Sequence, residues 1–122
     1  MMNQLSTVGK WMYALPMIAF GLMHFAGAES MSGMVPSYVP GGVLWIYLTG
    51  VALVLAGAAL LAGRYAKLAL QLLGLMLVLF VLMLHLPTVM AGGDAAQLST
   101  AMMLKDVALA GAAWWASATS SD

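Results

Sequence analysis

The stretch FGLMHFAGAES, Phe20–Ser30, decides how many long helices this chain keeps, and it can be read in two ways. Taken with the apolar run before it and Lys10 upstream, it resembles the end of a secretory signal peptide. Ala26-Gly27-Ala28 supplies the small-x-small pattern after which a signal peptidase cuts. Cleavage there would remove His24 from the mature protein. On the other reading the segment is the end of a retained helix, with His24 as a titratable group near its tip. The apolar run begins at Trp11 and exceeds the h-region of about 7–15 residues found in signal peptides. Retention is therefore the expectation.

Composition fixes the solvent this helix would meet. The chain has 122 residues, 64% hydrophobic and 7% charged, with a mean hydropathy of +1.01. An ordinary soluble domain is about 25% charged, because its surface must be wetted. Four acidic and four basic residues cannot cover a globule of this size. The lipid bilayer is the expected partner. Zero formal charge provides no field to gather nucleic acid. The absence of cysteine excludes disulfides, thiol relays and thiolate metal sites, so any redox role needs a bound cofactor or a partner protein.

A helix crosses about 30 Å of hydrocarbon with roughly 20 apolar residues. Four segments qualify or nearly so: Trp11–Ala28, Val43–Gly63, Leu68–Pro87 and a fourth running from near Ser99 to about Ala118 that must take in Lys105 and Asp106. Pro16 inside the first is tolerated where neighbours satisfy the freed carbonyl. GRYAK, Gly63–Lys67, reads as a tight hairpin turn. PTVMAGGDAAQLST, Pro87–Thr100, reads as a loop ending at a helix start. The longest connector, Glu29–Gly42, carries Pro36 and Pro40, and its Met31, Met34, Val35, Tyr38 and Val39 are too apolar for a fully wet loop. It is expected to lie back on the helices or in the headgroup layer. The expected fold is all-α, an up-down bundle of four transmembrane helices in a single domain. Lys10, Arg64 and Lys67 fall on one side of it, Glu29 and Asp94 on the other, so both termini are expected in the cytoplasm.

In lipid, helices associate through small residues and polar contacts. The second span offers a stripe of Ala52, Ala56, Ala59 and Gly63, with Val54 about 200° away from Ala52 and assigned to lipid. The third places Gln71, Gly74, Val78 and His85 along one line. The fourth places Asp106, Ala110, Ala113 and Ser117 on one face. Trp114 and Trp115 are expected at one membrane interface and Trp45 at the other, as belt residues. The twelve methionines read as flexible core filler, with no array suited to a metal.

Chemistry is concentrated by depth. His24, His85, Lys105 and Asp106 share the outer end of the four-span arrangement, and Glu29 and Asp94 adjoin it. Ionisable groups inside a span are costly and mark either function or a buried pair. Lys105 and Asp106 point about 100° apart, so Lys105 is expected to snorkel to the headgroups while Asp106 turns inward. Asp106 then needs a partner, and His24, His85 or both are expected to converge on it. Three outcomes are open: an inter-helix hydrogen bond that fixes packing, a polar cap holding a quinone or other small redox ligand, or a haem clamped between His24 and His85. No carboxylate pair, nucleophile triad, phosphate loop or metal-ligand spacing suggests hydrolysis or phosphoryl transfer.

GLMHFAGAESMSGMVPSYVP, then LTGVALVLAGAALLAGRYAKLAL and LKDVALAGAAW, resemble the DoxX family of small four-helix membrane proteins of bacteria and archaea. The likeness runs from about Leu15 to Trp115, and its more specific parts are Gly21-x-x-His24-Phe25, Pro36-x-x-x-Pro40, Thr49-Gly50 and Lys105-Asp106. The resemblance implies an inner-membrane location, both termini inside, and a tendency toward membrane redox chemistry around quinol oxidase and thiosulfate:quinone oxidoreduction. It transfers no catalytic residues. Two functions are then expected: an accessory or anchoring subunit that meets other membrane subunits or itself, or a quinone- or haem-binding protein that transfers electrons or protons.

Overall fold

A computed structural model describes residues 2–35, 37–38 and 40–120, and for residues 2, 3 and 34 the backbone alone. The expectations for Pro36 and Val39, for the Met34 side chain, and for the terminal residues Met1 and Asp122 fall outside this description. Among the described residues the fold is all-helical, without strands. In chain order the elements are α1 (Met2–Ala26), the short α2 (Ala28–Met31), a 3-10 turn (Ser32–Met34), α3 (Val43–Ala62), α4 (Ala66–Phe80), a π turn (Val81–His85), α5 (Leu86–Ala91) and α6 (Asp94–Ser117). α4, the π turn and α5 run on as one rod.

Three boundaries differ from those read in the sequence. α1 begins at Met2 rather than near Trp11, since no proline or paired glycine interrupts the polar segment before it. The segment Pro87–Thr100 is mostly helical. Its break is confined to Gly92 and Gly93, whose φ/ψ of 74/−161° and 84/−170° lie in a region open essentially to glycine alone. α6 thus starts at Asp94, five residues ahead of Ser99. By contrast α3 ends where expected, with Gly63 at φ 70° as its left-handed cap and an Ala59 carbonyl accepting from its N–H at 3.0 Å.

The long helices associate unevenly. α1 lies against α3, and α4 against α6; α3 and α4 meet through their hairpin, and α1 barely touches α6. The first pair is drawn together by glycine. A Cβ on Gly21 would fall 2.7 Å from the Gly50 carbonyl, and one on Gly50 would fall 2.9 Å from the Gly21 carbonyl. Gly57 meets the Ala14 carbonyl in the same manner, at 2.9 Å. The backbones touch directly here, as small residues permit in apolar solvent. In the second pair Gly74 lies under the Trp114 indole, whose Nε1–H donates to the Gln71 carbonyl at 3.1 Å. Trp114 therefore packs across α4 and is not an outward belt residue, whereas Trp115 is 84% exposed.

This arrangement corrects the stripe read on α3. Its buried face is Ile46, Gly50, Leu53, Ala56, Gly57 and Leu60. Ala56 belongs to it, but Ala52 and Gly63 are exposed and Ala59 is only half-buried. Val54, assigned to lipid, is half-buried with its Cγ2 over Gly21. The close approach to α1 at Gly50 and Gly57 sets the rotation of the helix. On α6 the expected face is the buried one: Asp106, Ala110, Ala113 and Ser117. The core between the pairs is Met17, Leu53, Ala56, Leu73, Leu77 and Ala110, with Ala14, Leu60, Ala66, Leu70 and Ala113 below it.

The rest of the surface is apolar. Exposed side chains include Leu15, Leu22, Leu44, Leu55, Leu72, Leu82 and Leu104. Total accessible area is 7767 Å², against about 6,300 Å² for a soluble monomer of 12.8 kDa. Two stretches, Val43–Ala62 and Ala66–Ala91, are long and apolar enough to cross a membrane, and each is only 33% buried in its most apolar window.

Candidate functional site

The polar site is built where α4 gives way to α5. Pro87 has no N–H to return to the preceding turn, and its ring crowds the carbonyls there. Val81–His85 answers with a π turn, a local widening that recurs at functional positions. The Thr88 hydroxyl donates to the Leu84 carbonyl at 2.9 Å, supplying a bond to a carbonyl in the widened turn. His85, the last residue of that turn, points inward at 5% exposure and faces Asp106 on α6, also 5% exposed.

The two side chains meet directly. His85 Nε2–H donates to Asp106 Oδ2 at 2.9 Å. Lys105 Nζ lies 3.4 Å from Asp106 Oδ1, with its side chain 48% exposed. Lys105 is thus not spent only on snorkelling. Although neighbours on a helix point about 100° apart, its long stem curls back and brings the ammonium over the Phe20 ring, 5.2 Å from the centroid. Both oxygens of a buried carboxylate are engaged from within the chain. The arrangement ties the π turn to α6 and, through Lys105 and Phe20, ties α6 to α1.

The other expected members stand apart. His24 bonds through Nδ1 to the Phe20 carbonyl of its own helix at 2.6 Å, and its Cβ faces Gly50 on α3. Glu29 is exposed; its backbone carbonyl accepts from the Ser32 hydroxyl at 2.7 Å. A haem clamp between His24 and His85 is not formed, because the Nε2 of His85 is committed to Asp106 and His24 is turned to its own backbone. Of the packing residues, Ala56 and Gly74 are buried at helix contacts, while Ala52, Ala59 and Gly63 sit as described above.

Beside the pair lies a cavity of about 310 Å³ lined by Gly33, Leu84, His85, Thr88, Ser99 and Met102. The connector after α2 closes one side of it, with Ala28 at 1% exposure anchoring the start of that segment. Thr88, Ser99 and Phe20 drew no attention in the sequence. The Pro87-Thr88 step was the one local sign that the helix would widen beneath His85.

No curated protein and no solved structure matches this chain. Residues 13–117, from the Tyr13 whose hydroxyl donates to the Leu109 carbonyl at 2.7 Å to the buried Ser117, carry both helix pairs and the whole polar site. Over that stretch the sequence matches the family described as a domain of unknown function (DUF8561), and the chain belongs to it.

Proposed function

We propose that this is a small DoxX-like protein of the bacterial cytoplasmic membrane, crossing it four times with both termini inside, and serving as an accessory or anchoring subunit, possibly of a redox complex, beside other membrane subunits or a second copy of itself. The observation that carries the reading is the closure of Asp106. A buried carboxylate with one oxygen on His85 and the other near Lys105 acts as a clamp between helices. It is spent on holding the π turn to α6. Around it the exposed side chains are those that lipid or another apolar helix would accept.

A second reading has an observation of its own. His85 is both a clamp member and part of the wall of the 310 Å³ cavity, which also presents the Thr88 and Ser99 side chains. A cavity of that size with few polar groups suits a small carbonyl-bearing ligand such as a quinone headgroup.

One preparation separates the two. The full chain is purified in mild detergent, its absorbance spectrum recorded and its organic extract analysed. The accessory reading expects neither a chromophore nor stoichiometric quinone. Quinone at one per chain, lost in His85→Leu, would replace it with the second reading. Reporter fusions after Arg64 and Ser120 should both report the cytoplasm, and one after Gly93 the outside. An external signal at Ser120 would remove a span.

A further inference from the structure

The loose seam between α1 and α6 opens, at the end of the bundle away from His85, into a cavity of about 500 Å³. Its walls come from α1 (Ser6, Gly9, Lys10, Tyr13), from the α3–α4 hairpin (Leu60, Gly63, Ala66, Leu70) and from α6 and the residues after it (Ala112, Ala113, Ala116, Thr119, Ser120). The space exists because the side chains there are small. A Cβ on Gly9 or on Gly63 would meet nothing within 4 Å. The Tyr13–Leu109 hydrogen bond forms the floor and is the polar tie across the seam.

The cavity is polarised along its length. Toward the middle of the bundle its walls are Leu60, Leu70, Ala112 and Ala113; at the rim are the Lys10 ammonium and the hydroxyls of Ser6, Thr119 and Ser120. Ser6 and Lys10 lie four residues apart and so share a face of α1. Among the described residues Lys10 has no carboxylate within ion-pairing distance. Arg64 and Lys67 stand at the same end, and the described acids, Glu29, Asp94 and Asp106, all belong to the other. Two helix N-termini and two C-termini meet there, so their dipoles offset and the side chains decide the sign of the field. An unpaired cation with hydroxyls above an apolar slot that opens sideways matches a phosphate carried on a hydrocarbon tail.

We infer that this seam is a binding site for an anionic phospholipid, with its phosphate at Lys10 and the Ser6 and Ser120 hydroxyls and the start of an acyl chain between α1 and α6. The assignment rests on the chain being embedded in a bilayer. A volume near 500 Å³ falls within the range of about 300–1,000 Å³ typical of small-molecule sites. It holds a headgroup and part of one chain, with the remainder leaving through the open seam.

The test uses the full chain in a neutral detergent and a thermal-unfolding titration with dioctanoyl phosphatidylglycerol, dioctanoyl phosphatidylcholine or inorganic phosphate. Phosphatidylglycerol should raise Tm saturably, phosphatidylcholine less, and phosphate alone not at all. Lys10→Gln should weaken the phosphatidylglycerol response about five-fold, the worth of one lysine at a lipid headgroup. Lys67→Gln, outside the cavity, should leave it unchanged. Gly9→Leu fills the slot from an exposed helical position where a side chain meets no neighbour, and should abolish the response in a protein that still unfolds cooperatively. An undiminished response in Gly9→Leu, equal losses in Lys10→Gln and Lys67→Gln, or stabilisation by phosphate alone would each overturn the site. Reconstitution separates the two failures. A chain that stays in the aqueous fraction when detergent is replaced by phosphatidylcholine vesicles sinks the membrane reading, whereas one that enters the vesicles but ignores phosphatidylglycerol sinks the site alone.

Discussion

Alanine at Gly21 is the sharpest probe of how α1 and α3 are held. Its new methyl would stand 2.7 Å from the Gly50 carbonyl oxygen and 2.6 Å from Val54 Cγ2, where ordinary contact begins at 3.4 Å. One of these obstacles is backbone and cannot rotate away, so the helices must part by roughly 0.7 Å, the 3.4 Å of ordinary contact less the 2.7 Å found. A gap of about 0.5–1 Å forfeits a quarter to a half of the dispersion energy of the atoms along the contact. The expected cost is about 1–3 kcal/mol for overpacking. Alanine is also the better helix former by about 1 kcal/mol, which would blur the measurement. Gly111→Ala removes that ambiguity, because a Cβ there meets nothing within 4 Å and gains the same helical preference. The difference between the two variants, read by unfolding in one detergent at one protein concentration, should be about 1–3 kcal/mol. Gly50→Ala should behave like Gly21→Ala. Once either has separated the helices the second methyl meets less, so the double variant should cost clearly less than the two singles added together. Equal stabilities for Gly21→Ala and Gly111→Ala, or strict additivity at positions 21 and 50, would show that the backbones do not touch there.

The clamp makes a different prediction. His85→Leu leaves a buried carboxylate with Lys105 alone and should cost about 3–5 kcal/mol, whereas His85→Leu combined with Asp106→Leu should recover much of it; chemical denaturation of the three proteins checks this, and an equal loss in all three would mean the pair is not coupled. Gly74→Ala places a methyl on the Trp114 indole and should destabilise by about 1–3 kcal/mol with a shift in tryptophan emission, and Trp114→Ala in the same chain should relieve most of the cost. Tyr13→Phe removes the hydroxyl that reaches Leu109 and should cost about 1 kcal/mol, with faster amide exchange in α1 as the seam loosens; unchanged stability and exchange would show that the hydrogen bond does not tie the seam.

Where the sequence was legible, a polar residue broke the symmetry. Asp106 can turn only one way on an otherwise apolar helix, and it carries Ala110, Ala113 and Ser117 to the buried side with it. α3 has no such residue. Gly50, Ala52, Ala56, Gly57, Ala58, Ala59 and Ala62 place small side chains all round it, so a stripe can be drawn on several faces. The contact with α1 selects among them, and that contact is a property of the pair. The same holds for the two histidines. Shared depth brought both under consideration, yet the rotation of α1 turns His24 toward α3 and the carbonyl behind it, while the π turn presents His85 to Asp106. Depth is written in the chain; azimuth is fixed by packing.

The π turn also ties the length of the polypeptide to its chemistry. Such a turn amounts to one residue more than a regular α-helix needs over the same rise. Loss of a single codon between Val81 and Leu84 would therefore leave a helix of ordinary geometry, still apolar and still able to follow on from α4. What it would change is the phase of everything downstream, so that the position now held by His85 would face elsewhere by about 100°. Across the lineage of this family, gaps at that one place and replacements at positions 85 and 106 should be inherited together, the pair surviving only where the extra residue does.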